Sequence, residues 1–145
     1  MLIYNLCFIR RGNRLLLLNR ERPPWMGCWN GIGGKLEKGE PAREAMLREI
    51  WEETRIAPQE LLFKGLITWS TVEGTGFGGM YLYLANVPED CDYPTPHPTE
   101  EGILDWKDID WIMHPRNQGV AANIPPSLDK VLNDSACYRH HSYFQ

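Results

Sequence analysis

Three glutamates, Glu49, Glu52 and Glu53, stand at i, i+3 and i+4 in a stretch rich in helix formers. A helix there brings their carboxylates toward one another, which is unfavourable unless cations, protons or arginines offset the charge. Carboxylate oxygens are hard ligands suited to Mg²⁺ or Mn²⁺. Just upstream, Gly33 and Gly34 offer backbone that can approach a metal or an anion without a Cβ in the way. Taken singly, each feature has an ordinary reading as a solvated charge run or a turn glycine. Side by side, they point to a divalent cation held next to an anionic substrate.

The elements that must position these residues follow from punctuation and periodicity. Pro41 suits a first helical turn, and residues 42–54 predict a helix whose core stripe is Leu47, Ile50, Trp51 and Thr54. Residues 19–39 lose all periodicity and collect glycine and proline, so they read as a loop system with one short extended piece near residues 28–32. Before them, residues 3–9 and 14–18 predict a hairpin turning at residues 10–13. Asn5 shares a strand face with Ile3, Cys7 and Ile9, so its amide needs an internal partner or a pocket; a base contact and an internal hydrogen bond both fit. A second hairpin is expected from residues 64–72 and 77–87, joined by 73–76. Residues 88–98 read as a surface connection, 103–106 as a strand, 108–113 as a brief helix and 126–132 as a last helix packing Leu128, Val131 and Leu132 inward. The order predicts one mixed α/β unit over residues 1–145, with no repeat.

Composition narrows the function. The 145 residues carry 15 basic and 19 acidic side chains, a formal charge of −4, which disfavours a broad basic surface for nucleic acid and leaves no stable nucleic-acid partner expected. The longest apolar run, residues 15–18, falls far short of the roughly 20 residues that span a bilayer. No membrane association and no signal peptide are read, and four scattered cysteines without a CxxC pair favour free thiols in a reducing compartment, so the cytoplasm is the expected location.

The stretch GGKLEKGEPAREAMLREIWEETRI, residues 33–56, closely resembles the Nudix box of the nucleoside diphosphate-linked hydrolases. From Gly34 it runs glycine, five residues, Glu40, seven residues, then REIWEE and an aliphatic Ile56; Arg55 stands where the box has its late glycine. The resemblance implies the Nudix α/β/α sandwich, a mixed curved sheet between helices. It implies Glu49, Glu52, Glu53 and the Gly33 carbonyl as ligands of Mg²⁺, with Mn²⁺ as a substitute. Glu40 then binds through water or orients Arg48, Gly34 serves the loop geometry, and Lys35 adds a phosphate contact or remains a solvated lysine. The general base is expected among Glu52, Glu100 and Glu101. At Arg55 either the helix ends with arginine in the left-handed conformation, or it terminates differently and the side chain reaches a carboxylate or phosphate.

Around the box, CWNGIGGKLEKGE and, more weakly, PTEEGILDW resemble MutT-like hydrolases of oxidised purine nucleoside triphosphates. That likeness implies a small nucleotide substrate whose base is read by Asn30, Glu100 and Glu101, with Trp111 stacking or nearby and Asn5 as a further contact. The expected reaction yields a nucleoside monophosphate and pyrophosphate, with 8-oxo-dGTP as an example substrate. Hydrolysis of ADP-ribose or dinucleotide polyphosphates, and a nonhydrolytic nucleotide- or RNA-binding domain, are the alternatives. The sequence does not choose between monomer and dimer.

Overall fold

Strand runs that are apolar at every position must be covered on both faces, and residues 6–9 and 15–18 of the first hairpin are built this way. β1 (Tyr4–Arg11) and β2 (Arg14–Arg20) pair antiparallel around Gly12, which takes φ +60°. Cys7, Ile9, Leu16 and Leu18 enter one core layer, whereas Leu6, Phe8, Leu15 and Leu17 enter the other. A computed structural model of the chain describes residues 4–23, 25–71, 73, 77–122, 124–133 and 137–144. Ile3 of the expected first strand, Pro24, Val72, the turn residues 74–76 and Gln145 lie outside them.

The remaining elements are β3 (Trp29–Asn30), β4 (Ile32–Lys35), α1 (Ala42–Thr54), β5 (Glu60–Thr71), β6 (Phe77–Asn86), β7 (His97–Thr99), β8 (Gly102–Asp108), α2 (Ile109–Ile112), α3 (Ile124–Asn133) and β9 (Tyr138–Phe144). The sheet runs β7-β8-β2-β1-β6-β5-β9, with β3 added on β2 and β4 on β1. β1 with β6 and β5 with β9 are parallel pairs, and the others are antiparallel, so the sheet is mixed. Met46 and Ile50 of α1 close one face; Ile112 of α2 and Ile124, Leu128 and Val131 of α3 close the other. This is the expected α/β sandwich.

Several expectations need correction. α1 buries Ala45, Met46, Glu49, Ile50 and Thr54, and Leu47 packs half-buried against the same core, so of the expected stripe only Trp51 turns away. Trp51 is 49% exposed, because the face turned to the sheet includes a small alanine and an acid that an apolar count passes over. β5 starts at Glu60, not residue 64: a bulge between Phe63 and Gly65 interrupts the alternation and buries Lys64, which hides the strand's first half from a period-2 reading. α3 begins at Ile124, with Pro125 and Pro126 in its first turn. β9 was not expected, since YRHHSYF carries no apolar alternation; it joins as the strand beside β5. The connection over residues 88–96 is tied down by Arg11 Nη1 donating to Cys91 O (2.8 Å) and Trp106 Nε1 to Tyr93 O (3.1 Å). All four cysteines are unpaired. Among the described residues, no helix is long and apolar enough to cross a membrane.

Candidate active site

Two glycines let β4 lie where it does. β4 pairs antiparallel with β1, setting Gly33 opposite Leu6 and Gly34 opposite Asn5. A Cβ on Gly33 would overlap the Asn5 carbonyl oxygen, and one on Gly34 would come within 2.8 Å of Glu49 Oε1. The first glycine allows the strands to close; the second leaves room for a buried acid beneath the strand. Asn5 fastens the assembly from below, its Nδ2 donating to Ala42 O (2.9 Å) in the first turn of α1, while its buried Oδ1 has no hydrogen-bond partner.

On α1 the three glutamates separate into two environments. At about 100° per residue, Glu53 lies near the azimuth of Glu49, while Glu52 swings to the other side, toward Arg48 one turn earlier. Glu49 is 6% exposed and Glu53 is partly buried, and the Oε2 atom of each is buried without a hydrogen-bond partner. Burial pushes the Glu49 carboxyl up to about 7, against the pull of Arg48. Burial pushes Glu53 up to about 8, reinforced by Glu49 and Glu101 and opposed by Arg20. Glu52 instead is more than half exposed and pairs with Arg48 Nη1 at 3.2 Å. The full convergence that i, i+3, i+4 spacing suggests is therefore absent; among the described residues no group of three acids, histidines or cysteines stands ready to hold a metal ion.

Arg48 is the hub of the polar array. Its Nε and Nη2 donate to the two Glu40 oxygens at 2.7 and 2.8 Å, a bidentate pair, and Nη2 lies 3.7 Å from Glu49 Oε1. The pairing holds the Glu40 carboxyl below its ordinary pKa and raises that of the guanidinium. Glu40 belongs to the loop before α1, so this contact fixes that loop against the helix.

The hairpin of β7 and β8 brings a second acidic group to the end of α1. Glu100 and Glu101 share an open cavity of about 450 Å³ with Glu52, Glu53 and Arg55. Thr99 Oγ1 receives the Glu101 amide at 3.1 Å, and Glu101 O receives that of Glu21 at 3.1 Å. His97 and Thr99 also line the cavity, as sequence reasoning had not found. His97 has no companion spacing along the chain; only the β7–β8 register places it there. Arg20, whose charge opposes the rise at Glu53, was likewise missed.

The other predicted contacts lie elsewhere. Asn30 is buried on β3, its Oδ1 receiving the Gly31 amide at 2.8 Å. Trp111 is exposed on α2, and Lys107 Nζ sits 5.3 Å from its ring and 4.5 Å from that of Trp29. Lys35 is exposed at the end of β4. None of Asn5, Asn30, Lys35 or Trp111 lines the cavity of the acids, so the structure groups Glu100 and Glu101 with the helix glutamates and not with Asn30. Arg55 ends α1 with φ 63° and ψ 22°, its amide donating to Trp51 O at 2.8 Å. The helix closes as it would with glycine.

The donor chemistry suits a hard divalent cation: two buried carboxylates, each with an unsatisfied oxygen, repel one another until positive charge arrives. Comparison with known proteins adds an independent line. The family model described as NUDIX domain matches residues 4–132. An uncharacterised Nudix hydrolase of Bacillus subtilis is 30% identical over 108 residues, 74% of this chain and 66% of the relative. The oxidized purine nucleoside triphosphate hydrolase of Mus musculus is 29% identical over 110 residues, 76% of this chain and 68% of the relative. The chain thus spans about two thirds of the length of these relatives. The solved structure of the mutator MutT protein of Bacillus halodurans superposes with a TM-score of 0.77 at 26% identity, covering 97% of this chain and 89% of that one.

Proposed function

The chain belongs to the Nudix family and is a Nudix hydrolase, and on that premise we propose that it converts a nucleoside triphosphate to the monophosphate and pyrophosphate, with an oxidised purine deoxynucleotide such as 8-oxo-dGTP preferred. The observation that carries the reading is the pair of unsatisfied carboxylate oxygens on successive turns of α1, that of Glu49 beneath Gly34 and that of Glu53 at the cavity. Nudix hydrolases generally use divalent metals, and here Glu49, Glu53 and the Gly33 carbonyl would hold Mg²⁺ or Mn²⁺, with Glu52 joining them on turning away from Arg48. When bound, such a cation neutralises phosphate charge and lowers the pKa of water. Arg48 positions Glu52 and, through Glu40, the loop before the helix. Glu100, exposed at the cavity, is assigned the role of accepting the proton of the attacking water, which requires reach within one hydrogen bond or one bridging water. Asn30, with an amide that donates and accepts, is assigned to the purine edge.

The similarity to the mouse hydrolase supports the choice of base. ADP-ribose is the competing substrate, because an ADP-ribose pyrophosphatase of Methanocaldococcus jannaschii is 43% identical over 51 residues, 35% of this chain and 30% of the relative. Initial rates on 8-oxo-dGTP, 2-oxo-dATP, dGTP, ADP-ribose and diadenosine polyphosphates, with and without Mg²⁺, decide between them. Monophosphate and pyrophosphate formed with the highest kcat/KM on an oxidised purine is the expected result; dominant AMP and ribose 5-phosphate overturns it.

A further inference from the structure

The cavity at the end of α1 presents a charge problem. Glu52, Glu53, Glu100 and Glu101 all line it, yet the substrate it would take is a polyanion. A cation held by the helix acids answers for the phosphates next to it and leaves the far end of a polyphosphate facing carboxylates. Among the described residues lining the cavity, Arg55 is the only lysine or arginine. Its backbone is in the left-handed region, φ 63°, which disfavours a residue with a Cβ. A non-glycine residue held there at a functional cavity is an observation that calls for a function. The residue is exposed at the cavity wall, and its guanidinium lies 5.7 Å from the exposed ring of Trp51. No ion pair within 4 Å engages it among the described residues.

We infer that Arg55 binds the terminal phosphate of the substrate, so that the site favours ligands ending in a free phosphate over those whose polyphosphate is capped by a sugar. This deepens the proposed triphosphate reading and rests on it for the identity of the substrate, while the anion contact itself stands on the cavity and its single guanidinium.

The informative variant is Arg55→Gly, because glycine suits the backbone and removes only the side chain, so loss of folding does not confuse the result. Calorimetric titration of the metal-loaded protein with inorganic tripolyphosphate should show affinity about tenfold weaker in Arg55→Gly, the scale of one exposed charge-assisted contact. Arg55→Lys should recover part of it, and the dependence of affinity on salt should be shallower in Arg55→Gly. In turnover, KM for a nucleoside triphosphate should rise about tenfold while that for ADP-ribose changes less than about twofold. Equal tripolyphosphate affinity in native protein and Arg55→Gly, or equal losses on both substrates, overturns the inference. If the native protein binds tripolyphosphate through Arg55 but hydrolyses no triphosphate, the proposed function fails and the phosphate contact stands.

Discussion

Replacing Glu53 by glutamine should stabilise the metal-free protein at the same time as it abolishes metal-stimulated turnover. The carboxyl is pushed from 4.5 to about 8 by burial and by Glu49 and Glu101, so the folded state keeps a proton that the unfolded chain releases. Stability from this group is therefore complete below about pH 4.5 and is lost progressively as pH rises through about 8. A tenfold change in proton affinity is about 1.4 kcal/mol, which sets a ceiling of about 4 kcal/mol for the loss at pH 8. Protonation shared with Glu49 and solvent relaxation around a partly buried group reduce the expected gain of Glu53→Gln to about 2 kcal/mol. For a domain of this length that is a rise in Tm of about 6 °C. The assay is thermal and urea unfolding in EDTA at about pH 5 and about pH 8, repeated with Mg²⁺. Glu53→Gln should exceed the native protein by about 2 kcal/mol at the higher pH and by less than about 1 kcal/mol at the lower one. Mg²⁺ should raise the native Tm and leave the variant nearly unchanged. A variant less stable than native at both pH values, or a difference independent of pH, refutes the argument, as does undiminished Mg²⁺-dependent turnover.

Adjacent glycines should fail differently. Gly33→Ala collides with the backbone of β1 and should cost about 3 kcal/mol or more by chemical denaturation. Gly34→Ala instead meets the Glu49 carboxyl, so it should fold with a loss of about 1–2 kcal/mol and show a large drop in metal-stimulated rate; identical behaviour of the two variants would contradict the geometry. The neighbours Ile50 and Trp51 give a parallel test of the helix face: Ile50→Ala, at 0% exposure, should cost about 2–5 kcal/mol, and Trp51→Ala less than about 1. A larger loss at Trp51 would restore the stripe that periodicity predicted.

What could be read from the chain follows from which interactions are local. The helix over residues 42–54 was legible because its good formers lie within a single stretch after Pro41, and its bounds match. The face it buries was not, since Glu49 is buried through a contact with Gly34, fifteen positions away, that no hydropathy count anticipates. The first hairpin was legible in its alternation, whereas the front of β5 was hidden by a bulge and β9 by its polar sequence. Spacing brought the helix acids into view but not their division, which depends on Arg48 drawing Glu52 aside. The cavity required the β7–β8 register, so His97 could not be found, and of the two places read for Glu100 and Glu101, beside the helix acids and beside Asn30, the cavity holds only the first.

The indole excluded from the core acquires a use of its own. Trp51 is half open to water and lies 5.7 Å from the guanidinium of Arg55, which lines the cavity of the acids. Any anion that draws that guanidinium away alters the polarity around the ring, so the protein carries its own emission probe for occupancy. Against a Trp51→Phe blank, binding could be followed in unlabelled material on the millisecond scale, before a bond is cleaved.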